Sequence, residues 1–256
     1  MKIGVIGLGL IGGSIFKNLR NKNKIEVIGV SRTVKEQNVS YNYDTLKTCD
    51  VVFVCTPMNK TLEILEKLNS ILGKNTIVTD VCSLKEFVSN KEYNYEFIPS
   101  HPMAGTEHSG WDYSFAELFE GAKWVITPNE FNSESSIKIL ENLVVSMGAK
   151  PVFANPKRHD EAVALISHLP MIVAQALCEN IKDNKLAQEI VASGFKDTTR
   201  LALSNTEMAS DMVTLNNQNI LNSFNSFVEC FNKITQNCDY KNKAEEIKEF
   251  RNKLYS

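Results

Sequence analysis

The segment 100–110, SHPMAGTEHSG, places two histidines, a threonine and a glutamate around one proline and two glycines. Proline and glycine by themselves supply the backbone angles of a tight turn, so the polar residues need another explanation. An imidazole is the usual group that takes a proton from an alcohol near neutral pH, and His101 directly precedes the proline. The segment therefore predicts acid–base chemistry with His101 as the candidate base, whereas His108 is expected to face solvent.

Residues 5–14, VIGLGLIGGS, contain glycines in the spacing G-x-G-x-x-G, directly after an apolar strand predicted over 2–6. In such a loop the first glycine permits the turn, the second lets the backbone approach a pyrophosphate, and the third allows a helix to pack closely on the strand. The start of the following helix adds free N–H groups and a partial positive charge. The pattern predicts a dinucleotide site, and the alternative is a glycine turn without a ligand. The residues expected at the cofactor are Gly7, Gly9, Leu10, Ile11 and Gly12.

The end of the second predicted strand indicates which dinucleotide is bound. About 20 residues after the glycine loop, where NAD enzymes usually place an acidic residue on the ribose hydroxyls, the chain has Ser31 and Arg32. A hydroxyl followed by a guanidinium suits a 2′-phosphate, which requires hydrogen bonds and positive charge. NADP is therefore favoured over NAD, and the alternative is an exposed arginine that happens to follow the strand.

Further candidates follow the next two predicted strands. In a doubly wound sheet, ligands bind beyond the carboxyl ends of the strands. Thr56 ends the predicted strand VVFVCT and Pro57 follows it, whereas Asp80, Ser83 and Lys85 lie at the end of the predicted strand TIVTDV and just beyond it. Thr56, Pro57 and Asp80 are therefore expected to bind the cofactor, and Ser83 is expected near His101 where the nicotinamide lies.

Two kinds of segment alternate over the first 155 residues. Runs rich in β-branched residues predict strands, and stretches with helical spacing lie between them, which is typical of a parallel sheet covered on both faces. From Pro156 onward only helical periodicity remains. We predict an α/β protein with a Rossmann-type doubly wound parallel sheet over 1–155 and an all-helical substrate and dimerisation domain over 156–256. The predicted strands of the first half are KIGVI, IEVIGV, VVFVCT, TIVTDV, EFIPS, AKWVITP and AKPVFAN, and its predicted helices cover 10–22, 59–72, 84–90, 113–119 and 134–147.

The helical half is short for the number of apolar positions that it contains. Its helices include a long segment over 220–238, and about 100 residues offer few partners for so many apolar faces. We therefore expect a homodimer in which these helices pack against a second copy. The alternative is a compact monomeric bundle.

Charge and cysteine content narrow the class of protein. The 28 basic residues are balanced by 30 acidic ones. Proteins that bind nucleic acids or anionic membranes have an excess of basic residues, so the balance argues against these classes and favours a small-molecule substrate. The six cysteines form no C-x-x-C pair, so we expect reduced thiols rather than disulfides, and no metal site. The apolar N-terminus is short and interrupted by glycines, and no run approaches the ~18 apolar residues of a membrane span. The expected location is the cytoplasm.

Five segments, in this order and spacing, resemble the prephenate dehydrogenase family with its arogenate-using relatives: GLGLIGGS, TDVCSLK, SHPMAGTEHSG, RHDEAVALISHLP and GFKDTTRLALS. The most specific of these strings is HPMAGTE. The resemblance implies a monofunctional enzyme of tyrosine biosynthesis that converts prephenate to 4-hydroxyphenylpyruvate by NAD(P)-dependent oxidative decarboxylation. The alternatives are an arogenate dehydrogenase that forms tyrosine, another NAD(P) oxidoreductase such as an imine or hydroxyacid dehydrogenase, and a non-catalytic dinucleotide-sensing protein.

The resemblance also implies roles for particular residues. His101 would deprotonate the ring hydroxyl, and Ser83 would hold the same hydroxyl and help to orient the nicotinamide. Thr106 would line the site, and Glu107 would control access at its rim. His168 and Arg200 would bind the substrate, together with Asp197.

Physical arguments support two of these assignments independently. Pro170 cannot donate to the carbonyl of Ile166, so the helix is disturbed beside His168, which is expected on an irregular, open turn facing the first domain. The alternative is a buried structural histidine. Arg200 offers a bidentate fork for a substrate carboxylate, and Asp197 is expected on the same helical face. The alternative is a surface ion pair between these two.

The chain departs from the family pattern after Arg200. It continues as NTEMASDM, with Ala209 where the family usually has an aromatic residue. The departure concerns the wall that closes the substrate pocket. Nothing in the sequence corresponds to a mutase or regulatory domain, so a single activity is expected.

Overall fold

The computed structural model describes residues 1–89, 91–106 and 108–255. Six strands form its main sheet: Lys2–Ile6 (β1), Glu26–Val30 (β2), Val39–Ser40 (β3), Val51–Val54 (β4), Ile77–Asp80 (β5) and Glu96–Phe97 (β6). All are parallel, and their order is β3-β2-β1-β4-β5-β6. Because the order reverses between β1 and β4, a crevice forms beyond their carboxyl ends. The predicted Rossmann-type sheet is confirmed.

Successive residues of the central strands reach opposite faces of this sheet. Val51 and Phe53 of β4 belong to one buried apolar cluster, whereas Val52 and Val54 belong to another. Helix Leu10–Arg20 (α1) packs on the first cluster through Ile15, Phe16 and Leu19, and helix Met58–Asn69 (α2) packs on the second through Leu65 and Leu68. Both faces of the strands are covered, which explains their near-continuous apolar sequence.

A second, three-stranded sheet contains Ser100–Pro102 (β7), Lys123–Ile126 (β8) and Lys150–Phe153 (β9), with helix Glu134–Ser146 (α4) between the last two. Strand β7 is antiparallel to β8, and β8 is parallel to β9. The prediction of one strand over 96–100 is therefore wrong. The chain changes sheets near Pro99, whose carbonyl accepts the backbone N–H of Thr127 at 2.9 Å. His101 consequently lies inside β7, opposite Val125, rather than beyond a main-sheet strand.

The helix predicted over 113–119 is also wrong. The chain forms a short 3-10 helix at Trp111–Tyr113 and then a series of turns. The Lys17 ammonium of α1 donates to the carbonyls of Trp111 at 3.3 Å and Ser114 at 2.7 Å. The segment is therefore held against α1 by side chain–backbone hydrogen bonds. The predicted helix over 84–90 is present as the short Glu86–Ser89 (α3).

After Phe153 the described part of the chain contains helices and no strands, which confirms the predicted all-helical second half. The helices are Pro156–Val163 (α5), Leu169–Asn180 (α6), Lys185–Glu189 (α7), Ser193–Thr198 (α8), Thr206–Leu215 (α9), Asn217–Thr235 (α10) and Tyr240–Leu254 (α11). A π-helical turn, Ala164–His168, joins α5 to α6, and a 3-10 turn, Arg200–Leu203, follows α8.

Helices α10 and α11 leave many large apolar side chains exposed. The exposed set on these two helices is Leu221, Phe224, Phe227, Val228, Phe231, Tyr240, Ile247, Phe250 and Leu254. Contiguous exposed apolar surface of this kind marks an interaction site.

The continuous helix Pro156–Asn180 has the length and apolar composition to cross a membrane, contrary to the expectation from sequence. A third of its most apolar window, 33%, is buried within the chain. The helix also carries His159, Asp160 and His168, all three buried. The core helix of a soluble protein meets the same length and composition criteria, so these two properties are weak evidence for a membrane span.

Candidate active site

The glycine loop between β1 and α1 has the geometry of a phosphate site. Gly7 adopts φ +83°, a left-handed conformation that favours glycine. A Cβ on Gly12 would lie 2.0 Å from the carbonyl oxygen of Gly7, so only glycine permits the close contact of helix and strand there. A Cβ on Gly9 would meet nothing within 4 Å, which leaves its backbone open to a ligand.

The first turn of α1 completes this loop. Leu10 and Ile11 open the helix, its N-terminal turn contains no acidic residue, and no side chain caps it. Backbone N–H groups at such an end favour an anion. The loop therefore fits the pyrophosphate of a dinucleotide.

Thr56 and Pro57 lie on the opposite wall of the same crevice, directly after β4. Contact across the crevice is close, because a Cβ on Gly7 would be 2.5 Å from the carbonyl oxygen of Cys55. The Thr56 hydroxyl lies 3.2 Å from the hydroxyl of Thr61 in α2, and Pro57 precedes the first residue of that helix. Both residues therefore border the predicted cofactor crevice.

Ser31 and Arg32 follow β2 at the outer end of the crevice. The Ser31 hydroxyl accepts the backbone N–H groups of Thr33 at 3.3 Å and Val34 at 3.2 Å, which shapes the turn. The Arg32 side chain is exposed, and no carboxylate among the described residues forms an ion pair with it. Its guanidinium is therefore available to an anionic ligand.

Asp80 at the end of β5 is completely buried, and both of its carboxylate oxygens are occupied. They accept the backbone N–H groups of Cys82 at 2.9 Å and Ser100 at 3.1 Å, together with the Lys85 ammonium. Lys85, equally buried, also donates to the carbonyl oxygen of Ser100 at 2.7 Å. The pair joins the end of β5 to the start of β7, so the carboxylate of Asp80 holds the site together from behind rather than facing the crevice.

The segment between β5 and α3 carries Ser83, which is half-buried. No hydrogen bond within the described part of the chain holds its hydroxyl. The ends of the segment are fixed, because Asp80 binds the N–H of Cys82 and Asp160 binds those of Lys85 and Glu86. Ser83 is therefore a positioned hydroxyl that is free to bind a ligand.

His101 is half-buried, and its Nδ1 lies 3.0 Å from Nε2 of His159. Burial above all, then the charges of His159, Lys85 and His168, lower the pKa of His101 well below its usual value of 6.5. The imidazole is consequently neutral at physiological pH, the state in which it accepts a proton.

Sequence reasoning assigned no role to the neighbouring pair His159–Asp160, although it lies in the quoted string RHDEAVALISHLP. Both residues are buried, and Nδ1 of His159 lies 2.7 Å from Oδ1 of Asp160. In the sequence, only the adjacency of His159 and Asp160 could have indicated a functional pair. Their contact with His101 could not be foreseen, because His101 and His159 are 58 residues apart in the chain.

His168 lies at the end of the π-helical turn, as the missing N–H of Pro170 predicted. π-helical turns within α-helices occur frequently at functional sites. The expectation of an open position is wrong, because His168 is only 1% exposed.

Asn216 determines the tautomer of His168. Its Nδ2 donates to the carbonyl oxygen of Asp160 at 2.9 Å and lies 3.2 Å from Nδ1 of His168. Its Oδ1 is already occupied by Asn219 at 2.8 Å, so Nδ1 of His168 is an acceptor and Nε2 carries the proton. This Nε2 is buried without a hydrogen-bond partner among the described residues. Burial, partly opposed by Asp160, lowers the pKa of His168 to about 4, so the unpartnered donor belongs to a neutral ring.

The remaining predicted substrate residues lie at the surface. Arg200 and Asp197 are both exposed, and no ion pair joins them in the described structure. They do not share a helical face, because α8 ends at Thr198 and Arg200 begins a separate 3-10 turn that packs against α6. Thr106 is exposed, and its hydroxyl accepts the N–H of His108 at 3.2 Å.

Glu107 and Ala209 are the remaining positions of interest from the sequence. Glu107 lies outside the described residues. Ala209 is buried in α9, with a side chain too small to form an aromatic wall.

A glycine loop that fits a pyrophosphate at the end of a doubly wound sheet, together with a neutral histidine in the adjoining sheet, is typical of NAD(P)-dependent oxidoreductases. Within that class, a model of the prephenate dehydrogenase nucleotide-binding domain matches residues 17–153, and one of the prephenate dehydrogenase dimerization domain matches residues 155–253. The chain therefore belongs to the prephenate dehydrogenase family, which confirms the resemblance found in its sequence.

Individual relatives agree with this assignment. The prephenate dehydrogenase of Bacillus subtilis is 30% identical over 250 residues, which cover 89% of this chain and 67% of that protein. The crystal structure of Synechocystis arogenate dehydrogenase is similar with a TM-score of 0.86 at 33% identity, covering 99% of this chain and 100% of that one. The structure of Aquifex aeolicus prephenate dehydrogenase, in complex with hydroxyphenyl propionate and NAD+, gives a TM-score of 0.87 at 26% identity. The similarity covers 99% of this chain and 98% of that one.

Proposed function

We propose that the chain is a prephenate dehydrogenase that oxidises prephenate to 4-hydroxyphenylpyruvate with loss of CO₂. One observation supports this proposal most strongly: the neutral imidazole of His101 lies between the cofactor half and a buried His–Asp pair of the helical half. A neutral imidazole in this position is suited to deprotonating an alcohol while hydride leaves the same carbon. Aromatisation of the ring drives the decarboxylation, so the protein has mainly to position and polarise.

NAD(P), when bound, supplies the acceptor for the hydride. Gly7, Gly9, Gly12 and the first turn of α1 would hold its pyrophosphate, because their N–H groups and open backbone fit that group. Thr56 and Pro57 would line the opposite side of the crevice. Asp80 would act indirectly, by holding the segments that carry Ser83 and His101 in place.

The exposed Arg32 supports a preference for NADP. A 2′-phosphate beside Ser31 and Arg32 would gain a charge-assisted hydrogen bond from a guanidinium that has no competing carboxylate among the described residues.

On the substrate side, His101 would take the proton of the ring hydroxyl at Nε2, and Ser83 would hold the same oxygen. His168 would present its unpartnered Nε2–H to a substrate oxygen, because a buried donor without a partner is costly until a ligand satisfies it. Arg200 would bind a carboxylate near the surface, with Asp197 beside it, and Thr106 would border the entrance. Glu107 would control access to the site, as the resemblance in sequence implies.

An arogenate dehydrogenase is the second candidate. The specific observation that favours it is the similarity to the Synechocystis enzyme, which covers nearly the whole of both chains. Prephenate and arogenate share the reacting ring and differ only in a keto or amino group on the side chain, so the same His101 and Ser83 would serve either substrate.

We further propose that residues 1–155 bind the cofactor, that 156–256 complete the substrate site and form the dimer, and that the enzyme works in the cytoplasm. The matched dimerization domain and the exposed apolar faces of α10 and α11 support dimerisation through these helices. Sedimentation velocity should give twice the chain mass of 28.8 kDa, and a monomer at micromolar concentration would contradict the proposal.

The test of function follows reduced-cofactor formation at 340 nm in four parallel assays that pair prephenate or arogenate with NADP or NAD. We expect the fastest reaction with prephenate and NADP. Faster turnover of arogenate would establish the second candidate. No signal in any of the four would refute the proposed activity.

A further inference from the structure

We propose that His159 and Asp160 act as positioning residues that hold His101 in the tautomer with its proton on Nδ1. In this tautomer Nε2 of His101 is the only free lone pair of the ring, available to the substrate hydroxyl. The inference rests on the proposed function for its catalytic meaning, whereas the tautomer itself follows from the hydrogen bonds of a neutral His159.

The carboxylate of Asp160 accepts two backbone hydrogen bonds. Its Oδ1 accepts the backbone N–H of Lys85 at 2.8 Å, and its Oδ2 accepts that of Glu86 at 2.9 Å. Backbone N–H groups can only donate, so both oxygens are acceptors here, as they are in a carboxylate. The third contact, 2.7 Å between Oδ1 and Nδ1 of His159, therefore requires His159 to donate from Nδ1.

The imidazoles of His159 and His101 are in direct contact. A neutral His159 that carries its proton on Nδ1 has a lone pair on Nε2. The 3.0 Å contact from this Nε2 to Nδ1 of His101 is then a hydrogen bond only if His101 donates. Nε2 of His101 is left without a proton, and it can accept the hydroxyl proton when hydride leaves the ring carbon.

The charges around His101 support the same polarity. After taking the proton, the ring would be an imidazolium linked through His159 to the negative charge of Asp160. The opposing charge nearby is that of Lys85, which is paired with the carboxylate of Asp80. His168, also neighbouring, is neutral with a pKa of about 4, so it adds no positive charge near neutral pH.

The contact also couples the two rings, because Nδ1 of His101 and Nε2 of His159 share one hydrogen bond. The acidic limb of the pH–rate profile should therefore respond to a change in either ring.

The arrangement also links the two halves of the chain. His101 lies in β7, whereas His159 and Asp160 lie in α5, and Asp160 additionally binds the start of α3 beside Ser83. The base and the Ser83 segment are both oriented by one buried carboxylate. Correct docking of the helical half is therefore required for the tautomer.

The test uses two variants of the full-length chain, His159→Phe and Asp160→Asn, with Glu161→Gln as the matched control. Glu161 is an exposed neighbour of Asp160 on the same helix. We expect each test variant to lose ~10²-fold in kcat, the scale of an impaired general base, with KM changed less than about threefold. The acidic limb of log kcat against pH should move in both, and the control should match the wild type.

A second measurement observes the tautomer in the unmodified protein, by ¹⁵N NMR of histidine-labelled chain at pH 7.5. We expect His101, assigned by comparison with His101→Asn, to carry its proton on Nδ1. A proton on Nε2, or a His159→Phe variant with wild-type kcat and pH profile, would overturn the inference. If the wild type oxidises neither substrate, the proposed function fails instead, and the NMR signal still decides the tautomer. The same signal decides it if the variants do not fold.

Discussion

Acid should destabilise the fold by a predictable amount, because His168 is buried in a neutral form. Its pKa falls from 6.5 to about 4 on folding, with burial as the main cause. Between these two values the unfolded chain binds a proton that the folded chain excludes, so stability is complete above pH 6.5 and is lost as the pH falls toward 4. The full loss is about 3 kcal/mol, from 1.36 kcal/mol per pKa unit, and about 2 kcal/mol of it should appear between pH 7 and pH 5.

The assay is urea unfolding followed by circular dichroism at both pH values, at one protein concentration because dimerisation contributes to stability. The variant His168→Gln removes the titrating ring, so its own loss between pH 7 and pH 5 should be smaller than that of the wild type by about 2 kcal/mol. The pKa of His101 is also lowered, mainly by burial and least by His168, so its contribution nearly cancels in the difference. An equal loss in wild type and variant would refute the buried neutral state of His168.

Three substitutions test the cofactor crevice. Gly9→Ala should fold normally, because its Cβ meets nothing within 4 Å. Dinucleotide binding, measured by fluorescence titration, should nevertheless weaken about 10–100-fold, because the added methyl group keeps the backbone from contacting the pyrophosphate. Gly12→Ala should instead destabilise the protein by about 3 kcal/mol in urea unfolding, since its Cβ would lie 2.0 Å from a backbone oxygen; unchanged stability would contradict the packing described. Arg32→Ala should raise KM for NADP about tenfold or more and leave KM for NAD unchanged, as steady-state kinetics would show. A parallel rise for both cofactors would remove the assigned role of Arg32.

Much of the fold follows from sequence pattern because its determinants are local. The apolar run of β1, the glycine spacing and the first turn of α1 lie within 20 residues, and the alternation of strand and helix predicts the parallel sheet. The change of sheets at Pro99 was not predictable in this way. The run EFIPS is continuously strand-forming, and the partner that diverts it, β8, lies more than 20 residues further along the chain.

The candidate site was likewise predictable from sequence only where its determinants are local. The disturbance at His168 could be foreseen from Pro170 alone, since a missing N–H is a local property. Its burial could not, because the covering residue, Asn216, lies between α9 and α10, 48 residues further along the chain. The pairing of His101 with His159 likewise depends on how the two halves dock, and periodicity carries no information about that contact.

The most direct test of the account is the kcat of His101→Asn with prephenate and NADP, measured beside a circular dichroism spectrum of the variant. If this imidazole takes the hydroxyl proton, kcat should fall ~10²–10⁴-fold while the spectrum stays that of the wild type. A near-normal kcat in a folded variant would show that another group removes the proton, and the role of His101 would have to be abandoned.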